Sequence, residues 1–216
     1  SYLQSKMIPF DSMDAMMLNA QIFSNIKERA YKASEKLADM FGEPEILVGY
    51  GRRNTTLMAI APTKSSSFIL EQVSPSIEPH KSNMYVKDLA KIKVTCKNPY
   101  LLELLKEKGY NNKEIWNSIL DADGSVQHLD FLSDHEKDVF KTFSEISQLS
   151  VIQQAGQRQQ FIDQGQSLNL MVHPKTRVQD INTLYIEELE LEEMAGNFEN
   201  AAKIAEQKLD DVNRAS

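Results

Sequence analysis

The chain has 216 residues and a formal net charge of −7, with 41% apolar and 25% charged residues. That composition is globular and excludes wholesale disorder, and the length suits about one to one and a half ordinary domains. Nine of the acids and only three bases fall in residues 186–216, which leaves the first 185 residues at −1. A broad nucleic-acid surface is therefore excluded, because phosphate binding needs a surplus of Lys and Arg. No apolar run approaches the ~18 residues of a membrane span. Ser1 to Phe10 lack the basic start and apolar run of a secretion signal. Cys96 is the sole cysteine, so internal disulfides and CxxC pairs are excluded and a reduced, cytoplasmic setting is expected.

The first predicted element is one long helix over residues 12–41. Asp11-Ser12 supplies capping side chains, and Met16, Ala20, Phe23, Ile26 (or Ala30), Ala33, Leu37 and Met40 recur at helical spacing as its buried stripe. Gly42 and Pro44 end it. Ile46-Leu47-Val48 is short, and Gly49 to Asn54 reads as a turn. Thr55 to Ala61 is a mostly apolar run between turn signals, the pattern of a strand buried on both faces. Residues 71–85, with Pro75 and Pro79, read as a long loop. Cys96, in Val94-Thr95-Cys96-Lys97, is expected to be a small semi-buried side chain in a strand-like or loop stretch.

Helices are predicted from Asn98-Pro99 to Lys108, over about 112–120 and 134–147 around the turn Asp121–Gly124, and from about Ser150 to Gln164. Ser167 to Val172 is a second strand candidate, stopped by His173-Pro174. Asp180-Ile181-Asn182 opens an acidic C-terminal helix. Its apolar stripe of Leu191, Met194, Phe198, Ala201, Ala205 and Leu209 suits either a solvated terminal helix or a docking helix for a partner chain. Two short strands among some seven helices make too little sheet for a complete α/β domain.

The most suggestive chemistry lies where the first strand candidate ends. Pro62 is followed by Thr63-Lys64-Ser65-Ser66-Ser67: four hydroxyls, one ammonium and a run of backbone N–H groups. A helix beginning near Ser66 would add its free N–H groups, and ligands of α/β sheets gather at the carboxyl ends of strands. The pattern suits a phosphate, and equally a Ser-rich turn that merely caps a helix. His80, His128, His135 and His173 lie in loops or at helix starts without metal-ligand spacing, so no metal site is expected. No nucleophile–His–acid set, GxSxG elbow, HExxH or P-loop is present. Arg158, Asp163, Gln164 and Gln166 cluster where a helix meets a strand, and are expected to satisfy backbone groups there.

Three ordered stretches give the chain a family likeness. Asn54 to Ser67 (NTTLMAIAPTKSSS), Ser76-Ile77-Glu78-Pro79, and Gln157-Arg158 with Phe161 to Leu170 (FIDQGQSLNL) resemble the large subunit of class I ribonucleotide reductase, in its C-terminal portion. Tyr2-Leu3-Gln4-Ser5-Lys6 fits as well, and the resemblance covers about residues 1–186. It implies an α/β fold, predominantly helical here, that is the C-terminal part of a ten-stranded α/β barrel, with Thr56–Ala61 and Ser167–Val172 as its last strands. It implies that Pro62, Thr63, Lys64, Ser65 and Ser66 hold the substrate's diphosphate through N–H and side-chain hydrogen bonds, with Ser76 to Pro79 beside the same cavity.

The departures from the family matter as much. Its thiyl-forming cysteine, reducing cysteine pair and finger-loop Asn and Glu have no counterpart here, and Cys96 lies in no matching motif. Its Tyr-Tyr pair is also missing: Asn182 to Ile186 resembles the helix before that pair, but residues 187–216 contain no tyrosine. The expected organisation is therefore residues 1–186 as part of the barrel and residues 187–216 as an acidic amphipathic tail suited to assembly. The expected role is one fragment of a split ribonucleoside-diphosphate reductase large subunit, inactive alone and with no catalytic residue of its own. The expected partners are the fragment or fragments carrying the cysteines and tyrosines, a radical-generating small subunit and a ribonucleoside diphosphate. No cofactor is expected on this chain; the metal and radical would belong to the small subunit. The runner-up is a non-catalytic, reductase-derived module that binds or sequesters reductase subunits.

Overall fold

Helix boundaries follow the capping chemistry closely. In the computed structural model, which describes residues 1–70, 73–89, 92–173 and 175–194, a short helix α1 (Tyr2–Ser5) precedes the long α2 (Met13–Phe41). The Ser12 hydroxyl accepts from Ala15 N–H at 3.1 Å at the start of α2. Gly42, at φ 74°, donates back to the Ala38 carbonyl at its end. A 3-10 turn over Glu45–Leu47 and α3 (Lys64–Ile69) follow, then strands β1 (Met84–Leu89) and β2 (Ile92–Lys97). Helices α4 (Pro99–Glu107), α5 (Lys113–Asp121), α6 (Asp134–Val139), α7 (Gln148–Gln159) and α8 (Val178–Met194) complete the order. Asn98 and Asn112 cap α4 and α5 through their side chains, and Ser133 with Glu136 forms a capping box on α6.

The chain divides into two compact units. The first comprises residues 1–15, 62–150 and 169–171. Its core gathers Met84, Leu101, Leu105, Trp116, Ile119, Val126, Leu129, Leu132, Val139 and Phe140. A satisfied polar network is buried in the same unit. Asn83 donates through Nδ2 to the carbonyls of Gly124 (3.0 Å) and Phe140 (2.7 Å), and accepts from Asn98 Nδ2 at 2.8 Å. Asn98 also donates to Gln4 Oε1, and Gln4 donates to the Val139 carbonyl. β1 and β2 form an antiparallel hairpin in which Tyr85 faces Cys96, and Cys96 is buried.

The second unit comprises residues 16–61, 151–168 and 172–216. Here α2 buries Asn19, Ser34 and Ala38, while Ile26, Leu37 and Met40 of the expected stripe are exposed. The buried stripe is displaced because polar residues take it over. Asn19 donates to the Gln154 carbonyl and to Gln157 Oε1, and Ser34 donates to Asn54 Oδ1. Arg158 is buried against Asn19, Gln166 and the ring of Phe23.

Both expected barrel strands are extended chain rather than ladder strands. Residues 55–61 make one parallel bridge, Ile60 to Gln166, at the residue just before the 167–172 segment. Ile60 N–H donates to the Gly165 carbonyl and Ser167 N–H to the Ile60 carbonyl, at 3.1 and 2.8 Å. The apolar pattern located the segments, but a ladder needs successive paired residues, and among the described residues neither segment has them. Within residues 55–61 only Met58 is buried.

The real hairpin lies partly in the stretch read as a loop over 71–85. Charges at Lys87, Asp88, Lys93 and Lys97 hide its alternation. The helix expected over 134–147 stops at Val139, since Thr142 turns its N–H and hydroxyl onto the Glu145 carboxylate. The one expected to reach Gln164 stops at Gln159. Asp163 beyond it accepts from Leu57 N–H (2.8 Å) and Met58 N–H (2.7 Å). Helix α8 crosses residue 187 without a break, and the remainder of the acidic tail, 195–216, lies outside the described residues. Among the described residues no helix is long and apolar enough to cross a membrane.

Gly124 is a crowded backbone position. Its φ is 86°, and a Cβ added there would lie 1.9 Å from Ser82 Oγ and 2.7 Å from Asn83 N. Gly124→Ala should therefore destabilise the first unit by at least ~2 kcal/mol, from left-handed strain and displacement of the Asn83 bonds. Urea unfolding followed through Trp116 emission measures this, and an unchanged midpoint would contradict it.

Candidate functional site

Pro62 to Ser66 are all exposed. Thr63 occupies the position before α3 with φ 39° and ψ 32°, left-handed for a β-branched residue. Its hydroxyl does not cap its own helix. Instead Thr63 Oγ1 accepts from the main-chain N–H of Ser76 at 2.9 Å, and Ser76 itself has φ 52°. Among the described residues the N–H groups of Lys64, Ser65 and Ser66 have no acceptor. Ser67 is buried and closes the turn from behind: its N–H donates to the Thr63 carbonyl at 3.1 Å and its hydroxyl to the Lys64 carbonyl at 2.7 Å.

The five expected site residues thus lie on one exposed turn. Three free N–H groups, the Lys64 ammonium and the Thr63, Ser65 and Ser66 hydroxyls are what an anion requires. Helix α3 starts at Lys64, two residues earlier than Ser66. The family resemblance puts Ser76 to Pro79 beside this turn but does not reveal the Ser76 contact. That contact is a main-chain donor, and no residue type announces it.

The neighbouring loop is fastened at several points. Ser74 N–H donates to Ser1 Oγ, Glu78 N–H to the Pro75 carbonyl, and the buried Glu78 carboxylate accepts from Asn169 Nδ2. Asn169 lies in the FIDQGQSLNL stretch, so two of the sequence motifs meet through a side-chain contact. His80 is buried with Nε2 at 2.8 Å from Ser1 Oγ. Burial, and secondarily the Ser1 α-amino charge, push its pKa down to about 3.

Cys96 and the remaining histidines take no part in this turn. Tyr185, within the stretch Asn182–Ile186 that resembles the helix before a tyrosine pair, lies on α8. Among the described residues no three His, Cys, Asp or Glu side chains are placed to hold a metal ion.

The lowered His80 pKa has a definite sign. The unfolded chain takes up the proton near pH 6.5 and the folded unit does not until about pH 3. Stability from this group is complete above pH 6.5 and falls as pH drops, by up to ~1.4 kcal/mol per pH unit. Urea midpoints taken from pH 7.5 to 4.5 should show this slope, and His80→Gln should make it shallower, the Ser1 α-amino group, lowered by burial to about 5, leaving a residual slope of the same sign. Equal slopes for both proteins would refute the assignment.

Comparison with known proteins gives a consistent result. The family model described as ribonucleotide reductase, barrel domain, matches residues 43–192. The ribonucleoside-diphosphate reductase large subunit of Invertebrate iridescent virus 3 is 40% identical over 189 residues, covering 86% of this chain and 30% of that protein. The corresponding large subunit of Danio rerio is 33% identical over 196 residues, covering 76% of this chain and 25% of its own. In three dimensions the chain superimposes on the Actinobacillus ureae class Id ribonucleotide reductase alpha subunit with a TM-score of 0.81 and 63% identity. That match covers 88% of this chain and 35% of the other. The chain spans about a third or less of the length of each relative. The observed elements from residue 43 to residue 192 are thus part of the reductase barrel domain.

Proposed function

The chain belongs to the ribonucleotide reductase barrel-domain family, and from that premise we propose that it supplies the substrate-diphosphate turn and part of the barrel wall of a ribonucleoside-diphosphate reductase. The observation that carries the reading is the exposed turn Pro62–Ser66, with three N–H groups, an ammonium and hydroxyls free to face an anion. In this reading Lys64 neutralises phosphate charge while the Thr63, Ser65 and Ser66 hydroxyls and the N–H groups fix its orientation. The ribose chemistry happens elsewhere in the assembly.

The sole cysteine is buried on β2, so the radical and reducing cysteines come from large-subunit sequence outside these residues. The tyrosine pair that admits the radical does too. The metal and radical cofactor then lies with the small subunit, and the assembly works in the cytoplasm. Exposed apolar surface supports a partner of this kind. Phe41, Ile46, Val48 and Tyr50 in the second unit are each at least 65% exposed, more than isolated surface apolar residues require. The domain reading over 1–186 and the assembly role of the acidic residues 187–216 belong to the same proposal. An intact hydroxyl-rich turn supports participation in catalysis over a sequestering module, which has no use for it.

The test combines this chain with a large-subunit polypeptide bearing the cysteines and tyrosines, and with the small subunit. Nucleoside-diphosphate reduction is expected only when all are present. Replacing Ser65 and Ser66 together by Ala should raise KM for the diphosphate about tenfold, from lost charge-assisted hydrogen bonds. Reduction without this chain, or an unmoved KM, would sink the proposal.

A further inference from the structure

Helix α2 carries two faces that suit packing over its C-terminal half, and only one of them is covered. Ser34 and Ala38 are buried on the second unit. Ile26, Ala30, Ala33, Leu37 and Met40 follow one another at intervals of four, three, four and three residues, the spacing of a coiled-coil seam. At 3.6 residues per turn the seam lies about a quarter turn from Ser34 and Ala38. Ile26, Leu37 and Met40 are 45%, 41% and 60% exposed, Ala33 is exposed and Ala30 is half-buried. This is the stripe that the sequence pattern marks for burial, and among the described residues nothing covers it. Single exposed apolar residues are ordinary, but a row of them in helical register is the mark of a contact surface.

The two edges of the seam differ. Toward Ser34, Lys27 is committed to the Gln160 carbonyl at 2.8 Å. The outer edge carries Arg29 and Lys36, one heptad apart. Arg29 Nε donates to Asn25 Oδ1 within the helix, and among the described residues neither Arg29 nor Lys36 is ion-paired. Glu28 and Glu35 fall on the opposite side of the helix, where they leave the outer edge basic.

Resting on the reading that this chain works with large-subunit sequence outside it, we propose that the seam Ile26–Met40 is the docking surface for a helix of that sequence. The partner helix is apolar at matching three- and four-residue spacing and acidic along the edge that meets Arg29 and Lys36. Two observations select this occupant. The reductase alpha subunit on which the chain superimposes is matched over 35% of its length, so the greater part of that subunit lies outside this chain. Charge also selects against a second copy, since pairing α2 with itself sets basic edge against basic edge in a parallel or an antiparallel pair. Ala30 and Ala33 let the two helices approach closely between the larger Ile26 and Leu37.

Leu37→Cys in the full chain adds one exposed thiol on the seam, while Cys96 is buried and serves as an internal reference. Its alkylation is read by mass spectrometry of this chain, alone and with the cysteine-bearing large-subunit polypeptide, and sedimentation velocity follows complex formation. Alone, the thiol should react at the rate of a free thiol at every chain concentration, and in the complex at least about tenfold more slowly. Protection in the chain alone overturns the proposal. Independent of concentration, it assigns the seam to the chain's own residues 195–216; growing with concentration, it assigns the seam to a second copy. Fast alkylation inside a formed complex overturns the docking surface and leaves the functional reading standing, whereas absence of any complex overturns both. Arg29→Glu with Lys36→Glu should weaken the complex about tenfold at low salt and much less at ~0.5 M salt. Glu28→Gln with Glu35→Gln, on the opposite side, should leave it unchanged. An unmoved affinity in the charge-reversed chain, or a loss equal at both salts, overturns the acidic partner. Circular dichroism identifies a variant that has lost its helix, and the thiol measurement decides without it.

Discussion

An extended chain with almost no sheet around it must have its backbone donors answered by something else, and in the second unit that constraint falls on Asp163. Its carboxylate takes the N–H groups of Leu57 and Met58 together. Three residues on, Gln166 bridges Ile60. The two contacts hold residues 57–60 straight from both ends. Gln166 is in turn held by Arg158, whose guanidinium also grips Asn19 on α2. Burial lowers the Arg158 pKa to about 10, still far above neutrality, so it remains a cation there. Its partners are amide oxygens and the Phe23 ring, with no carboxylate among the described residues. The unit is organised by a small number of polar side chains, each serving two elements.

That dependence explains what could and could not be read in advance. Helix ends are legible wherever a single residue decides them: Ser12, Gly42 and Asn98 act locally, and local chemistry is visible in sequence. The clustering of Arg158, Asp163, Gln164 and Gln166 is legible too, with backbone satisfaction as the expected role for the group; Asp163 takes the Leu57 and Met58 N–H groups and Gln166 donates to the Ala155 carbonyl. The buried stripe of α2 was not. Asn19 and Ser34 look like solvent positions until the groups that satisfy them, Gln154, Gln157 and Asn54, arrive from elsewhere in the chain. The hairpin was lost for a related reason, since charge on β1 and β2 masks the alternation that marks a strand.

The candidate site divides the same way. Residue types put hydroxyls, an ammonium and main-chain donors at Thr63–Ser66, and the turn presents all of them outward. What residue types could not supply is the state of those groups. Thr63 leaves its own helix uncapped and accepts from a backbone N–H thirteen residues away. The anion-binding character is written in composition, and its availability in tertiary geometry.

The first unit has a further property in the placement of its aromatic residues. Trp116 is the chain's only tryptophan and sits fully buried in the core of that unit, with its Nε1–H on Asn111 and the Lys97 ammonium 4.5 Å from its ring. The chain therefore carries one native fluorophore for two units. An indole in such surroundings emits at shorter wavelength than one in water, and its red shift would record the opening of one unit only. Tyrosines are distributed over both, at Tyr31, Tyr50 and Tyr185 in one and Tyr2, Tyr85, Tyr100 and Tyr110 in the other. Comparing indole-selective excitation with excitation of tyrosine and tryptophan together would show whether the halves melt as one body or in sequence, without any label attached.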